Sequence, residues 1–172
     1  MAGLRAYLWV VVSAGALVLL ASVVAAIHTP HPGWWLSLAV IAIVTGSFRL
    51  NFSSVAANIS IDDTFFITTA LLFGPGPATL AIASVSLLVS VWRRKPVRQT
   101  AFNVAATAIS MWGGAKTFFL MAGVPPLAQA TAPISLLVVP LLALTSVYFA
   151  LNSGLTAIAV GLDSRQSLNL KC

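Results

Sequence analysis

The sequence predicts an all-α integral membrane protein, a helical bundle of about 4–5 spans with a broken or re-entrant helix pair at residues 64–92. Three observations predict it. Hydrophobic residues make up 59% of the chain and charged residues only 7%, whereas soluble domains run near a quarter charged. The mean hydropathy is +1.01. The apolar residues come in long runs, punctuated by Pro, Gly and basic clusters. Nine Lys and Arg and three Asp and Glu cannot clothe 172 residues in a water-facing surface. Apolar faces of that extent associate in water, and the bilayer is the solvent that suits them.

Residues 7–27, "YLWVVVSAGALVLLASVVAAI", carry no charge. At 1.5 Å per residue they reach across a hydrocarbon core of about 30 Å. Arg5, Tyr7 and Trp9 stand at the edge, where interfacial anchors belong. The run exceeds the apolar region of a cleaved leader, about 7–15 residues, and "VVAAIH" is a poor cleavage site, so it is read as the first span. "HTPHPG" cannot continue a helix and makes a turn. His28 and His31 in that turn lack the further ligands a metal site needs. Trp34 and Trp35 open a short second span over 34–50, which ends at Arg49 and its neighbour. Residues 49–61, "RLNFSSVAANISI", alternate apolar and polar positions and read as extended chain.

The third element, 64–92, is broken at 74–77 by "GPGP". Its first part, 64–73, is too short to cross alone. Residues 99–121 form the next span, "GVPP" the next loop, and 133–161 a long final span in which Pro140 predicts a kink. The chain 1–172 is one polytopic membrane domain, with no separate soluble unit.

The basic residues decide orientation. "SVWRRKPVR" at 90–98 packs Arg93, Arg94, Lys95 and Arg98 into one turn. Lys and Arg at span ends lie mainly on the cytoplasmic side, so this turn is placed there. The cations sit between apolar runs rather than along an exposed face, so no nucleic-acid partner is expected. Arg5, Arg49, Arg165 and Lys171 are also best placed inside. Residues 50–92 must then leave and re-enter the same side, as a re-entrant pair 64–73 and 76–92 would do. Such a break is tolerated at depth only where protein covers it. The rival arrangement puts the N-terminus outside and treats 64–92 as one broken span, leaving more cations outside.

Few residues carry chemistry. Asp62 and Asp63 are the only acids before residue 163. They either cap a helix starting near Thr64, at its positive end, or form an ion, proton or ligand site, since ionisable groups within a membrane are costly and often functional. Lys116 falls about 26 Å along the helix from Gln99, and either snorkels to the outer interface or meets an anionic ligand. Asn103, Thr107, Ser110 and Gly114 share one helix face, and Thr145, Asn152 and Thr156 share another. Such faces pack closely, here with Asn103 against Asn152, or else line a ligand pocket. The candidate ligand or ion residues are therefore Asp62, Asp63, Asn103, Lys116 and Asn152. The one cysteine, Cys172, excludes an internal disulfide. No nucleophile elbow, phosphate loop or zinc-protease helix occurs, so no catalysis, no cofactor and no metal are expected.

The stretch "SIDDTFFITTALLFGPGPATLAIASVSLLVSVWRRKPVRQTAFNVAATAIS" resembles the N-terminal multi-span domain of bacterial HD-GYP and GGDEF signalling proteins. The shared features are a short apolar helix, an "LLFGP" break, a small-residue span, an "RRKP" turn, then "FN" and a further span. "YFALNSGLTAIAVGLDSRQS" is similar to the next span and exit of that group. The resemblance implies a sensor or anchoring domain of the bacterial inner membrane, linked to cyclic-di-GMP signalling and without catalysis of its own. It implies as partners the lipid bilayer, a second copy of the chain, or a cytoplasmic output module. No such module precedes Cys172, so a truncated reading frame is expected. The helix, "FGP" break, helix pattern is also similar to the substrate-binding membrane subunits of vitamin-uptake transporters, which is the alternative function.

Overall fold

The computed structural model describes residues 2–30, 32–47 and 62–169, with side chains described for 3–30, 32–44 and 63–163. Among these residues six helices follow one another: α1 (Ala2–Ile27), α2 (Pro32–Ser47), α3 (Asp62–Phe73), α4 (Pro75–Trp92), α5 (Val97–Ala122) and α6 (Ile134–Asn169). No strand occurs among the described residues. The extended reading of 49–61 lies outside them.

Local chemistry ends each helix where the sequence changes. The His28 ring meets the Val24 carbonyl at 2.7 Å and the Thr29 hydroxyl donates to Ala25 at 3.1 Å. These bonds occupy carbonyls that the end of α1 leaves open. Pro32 opens α2, a position where a missing N–H costs nothing. The expected four-residue break at 74–77 contracts to a single residue, Gly74. Pro75 and Pro77 instead fall in the first turn of α4, where no intrahelical N–H is required.

Gly74 has φ +93 and ψ 179, a region essentially reserved for glycine. A Cβ there would meet only the Pro126 ring, at an ordinary 3.5 Å. The cost of Gly74→Ala is therefore backbone strain, about 1–3 kcal/mol. It should lower the thermal midpoint in detergent; an unshifted midpoint would show that the turn is not held at positive φ.

Among the described residues three helices are long and apolar enough to cross a membrane: Gly3–Ile27, Pro75–Trp92 and Ile134–Asp163. That is fewer than the 4–5 spans the sequence suggests. Pro32–Val44 and Asp63–Phe73 are apolar but short. The remaining helix, α5, has the length but carries Arg98, Gln99, Asn103, Thr107 and Lys116. Its position explains why it tolerates them. It packs against α1, α4 and α6, so much of its surface meets protein.

The helices approach closely because their contact faces are small. The main core gathers Ala39, Ala42, Ala70, Ala78, Ala81 and Ala115 around Phe66, Met111, Phe118 and Leu144. A second cluster joins Val11 to Phe102, Ala105 and Ala106. Small residues let helix backbones come near enough for dispersion to hold them. Other large side chains point outward: Leu17, Leu20, Leu142 and Phe149 are all exposed.

Contacts fix the ends of the bundle. At one end Gly76 lies against Ser22 and Ala25 of α1. There the Leu127 and Ala128 amides donate to the Leu71 and Leu72 carbonyls at 3.0 and 3.1 Å. At the other end Arg5, Arg98 and Asp163 border one cavity. The antiparallel pair α3–α4 makes its turn at the first end. Asp63 and Arg93, near its two tips, face a common cavity toward the other.

Candidate functional site

A polar cavity of about 630 Å³ lies between α3, α4, α5 and α6. Its charged and amide lining comes from Asp63, Arg93, Lys95, Asn103 and Asn152, with Tyr148 beside them. The α5–α6 crossing explains why it is there. Nearer the opposite end, Gly114 sits so close to α6 that an added Cβ would be 2.9 Å from the Leu144 carbonyl oxygen. Ser110 on the same stripe is fully buried and donates to the Ala106 carbonyl at 2.7 Å. The stripe is therefore packed at Gly114 and opens at Thr107 and Asn103.

The basic turn aims its side chains by its backbone. Lys95 N–H bonds the Ser90 carbonyl at 3.0 Å and Arg94 N–H bonds Val91 at 2.9 Å. Arg94 takes φ +52, in the left-handed position that usually holds glycine in such a helix stop. This reversal leaves Arg93, itself exposed, and the half-buried Lys95 on the cavity lining and Arg94 off it. Pro96 then precedes α5.

Within the cavity the hydroxyls are largely spent on their own helices. Thr107 donates to the Asn103 carbonyl at 2.9 Å and Thr156 to the Asn152 carbonyl at 2.9 Å. Asn103 donates to the buried Ser90 hydroxyl at 3.5 Å, joining α5 to α4. Tyr148 donates to the Asp63 carboxylate at 3.2 Å, joining α6 to α3. The Asn152 carboxamide has no protein hydrogen-bond partner among the described residues. Neither Arg93 nor Lys95 has a carboxylate within ion-pair distance among them.

The candidate residues divide accordingly. Asp63, Asn103 and Asn152 come together around one space. No direct hydrogen bond joins Asn103 to Asn152 among the described residues, so the expected contact between them is replaced by the Asn103–Ser90 bond. Asp62 opens α3, two residues earlier than the expected start near Thr64, and its side chain lies outside the described residues. Asp63 stands in the first turn, where the helix dipole favours its charge, but its carboxylate reaches across to Tyr148. Lys116 lies elsewhere, exposed, with its ammonium 5.2 Å from the centre of the Trp112 ring. A cation–π contact of this kind holds it along α5, toward the end away from the basic turn.

Two contributions escaped sequence reasoning. Arg93 and Lys95 read only as orientation signals, yet both border the cavity. Tyr148 was not singled out, although it lies one helical turn before Asn152 and so on the same face. Among the described residues no group of three His, Cys, Asp or Glu is placed to hold a metal ion. No protein-family model, curated protein or solved structure matches the chain.

Proposed function

We propose that this chain is a ligand-binding membrane domain of the bacterial inner membrane, the input or anchoring part of a signalling protein, with no reaction of its own. Its ligand is a small polar molecule bearing an anionic group. The observation that carries this reading is the cavity, where, among the described residues, Arg93 and Lys95 lack carboxylate partners and the Asn152 amide lacks a hydrogen bond. Lys95 and Asn152 are half-buried, and half-buried polar groups are normally satisfied. A ligand anion would supply what these two lack and would also meet the exposed Arg93 at the mouth. The Asp63–Tyr148 pair at the α3 wall would orient a donor group on the same ligand.

The multi-pass reading rests on the three apolar helices and on the tryptophans. Trp9 and Trp92 are exposed near the basic end and Trp34 is exposed near the other, as in the two aromatic belts of a membrane protein. The positive-inside bias then puts Arg93 and Lys95, and the exposed mouth of the cavity, on the cytoplasmic side. A signalling domain reading an internal solute fits that placement.

The alternative, a substrate-binding subunit of a vitamin-uptake transporter, is favoured by one feature: Asn103 and Asn152 line an open pocket instead of closing on each other. A mouth on the cytoplasmic side speaks against capture from outside.

The test is native mass spectrometry of the protein gently extracted in detergent. The wild type should carry a bound small anion. The double variant Arg93→Gln, Lys95→Gln should lose it, since hydrogen bonds to charged groups contribute about 1.5–3 kcal/mol each and two are removed. Equal small-molecule content in the two proteins, including none, would end the ligand-binding reading. A vitamin at full occupancy would turn it to the transporter.

A further inference from the structure

A second cavity, of about 520 Å³, opens on the outer surface between α1 and α5 at the basic end. Its walls are apolar, with Leu8, Trp9 and Val12 on α1 and Val97 on α5. Two arginines from different helices, Arg5 and Arg98, border it. Trp9 is 71% exposed and Val97 is 84% exposed, so the groove is open along its length. Among the described residues nothing neutralises its charge. Asp163 borders the cavity on the far side of the same two arginines, yet no ion pair with either forms among the described residues.

We infer that this groove is a site for one anionic phospholipid, with the phosphate between Arg5 and Arg98 and one acyl chain along Leu8, Trp9 and Val12. The complementarity has two parts. Guanidinium groups match phosphate geometry in bidentate fashion, and basic pockets between helices on the cytoplasmic side hold lipid head groups. The apolar wall continues directly from the charged mouth, as a head group joined to a chain requires. A free phosphate would use the arginines but leave the groove empty; a neutral lipid would fill the groove but leave the arginines unpaired. Neither satisfies both halves of the site. The groove is separate from the polar cavity, and the inference stands whether or not that cavity binds a solute.

The experiment uses the full chain in micelles, stripped of lipid and titrated with phosphatidylglycerol, phosphatidylcholine or inorganic phosphate, with bound copies counted by native mass spectrometry. One phosphatidylglycerol should be retained in preference to the other two probes. Arg5→Gln and Arg98→Gln should each weaken retention about fivefold, the effect of one basic residue at an anionic membrane surface. Arg94→Gln removes the same charge from the same turn but borders neither cavity, and should change nothing. Val97→Glu alters an exposed position without touching the core, and should also weaken retention by placing a carboxylate at the mouth. Retention of phosphatidylcholine equal to that of phosphatidylglycerol overturns the inference. So does an Arg94→Gln loss equal to that of Arg98→Gln, which would reduce the effect to net charge. Tight binding of inorganic phosphate alone would make it a phosphate site rather than a lipid site.

Discussion

Gly15→Leu is expected to destabilise the bundle by about 3 kcal/mol, at the upper end of what overpacking costs. Gly15 is buried where α1 crosses α5, and a Cβ built on it would lie 2.6 Å from the Cα of Ala105 and also against that residue's Cβ. Both neighbours belong to a helix backbone or to its shortest side chain, so neither can swing aside. The helices must separate, and the Val11–Phe102–Ala105 cluster beside them must open. The Tyr7 hydroxyl, which donates to the Leu155 carbonyl of α6 at 2.8 Å, would be displaced with α1. Gly33→Leu is the comparison, because a Cβ at Gly33 meets nothing within 4 Å. Thermal melts of the two variants in the same micelle separate the effects. If both melt with the wild type, α1 and α5 do not cross at Gly15.

Phe118→Ala should cost a similar amount, about 3 kcal/mol, the low end for removing a buried aromatic ring. The low end applies because lipid is as apolar as a protein core, so the loss is packing rather than transfer from water. Phe118 is fully buried among Met111, Ala115 and Leu144. Its ring stands edge-on to Phe119, centroids 5.0 Å apart at 86°, an arrangement that adds to area burial. Leu120, two residues on, is 82% exposed, and Leu120→Ala should leave stability nearly unchanged. Unfolding by denaturing detergent, followed by circular dichroism, gives both values. Equal losses at the two positions would mean that this face of α5 is not the core face.

Most of the helical layout could be read in advance because lipid imposes a simple rule on sequence. Runs 7–27 and 99–121 sit inside helices of the structure and 133–161 does so from Ile134 onward, and turns fall directly after Ile27 and at "RRKP" and "GVPP". The break between α3 and α4 was legible as well, but its width was not. Two prolines look like a wider interruption until they are seen to serve as the opening turn of α4. Among the described residues three helices are both long and apolar enough to cross a membrane, against the 4–5 spans expected, because α2 and α3 are apolar but short and α5 is long but polar. The site was half legible. The periodicity of Asn103, Thr107, Ser110 and Gly114 identifies a face, but a period cannot say where two crossing helices part. That depends on Gly114 meeting Leu144, a contact between residues thirty positions apart. Asp63 and Tyr148 are farther apart still, and only the folded arrangement brings them to 3.2 Å.

The bonds from Leu127 and Ala128 to the end of α3 have a consequence for biosynthesis. Together with the Gly74 amide on the Ala70 carbonyl, they occupy three consecutive acceptors that the helix itself leaves open. The two from the loop are supplied by residues made only after α4 and α5 have been translated. Until then the Leu71 and Leu72 carbonyls have no protein donor from that loop, and hydrocarbon offers none. If the hairpin enters a bilayer, its tip is expected to stay in contact with water or translocon while α5 emerges, until the loop after α5 folds back over it. Insertion and tertiary folding, separate stages for an uninterrupted apolar helix, would then be one event for this hairpin.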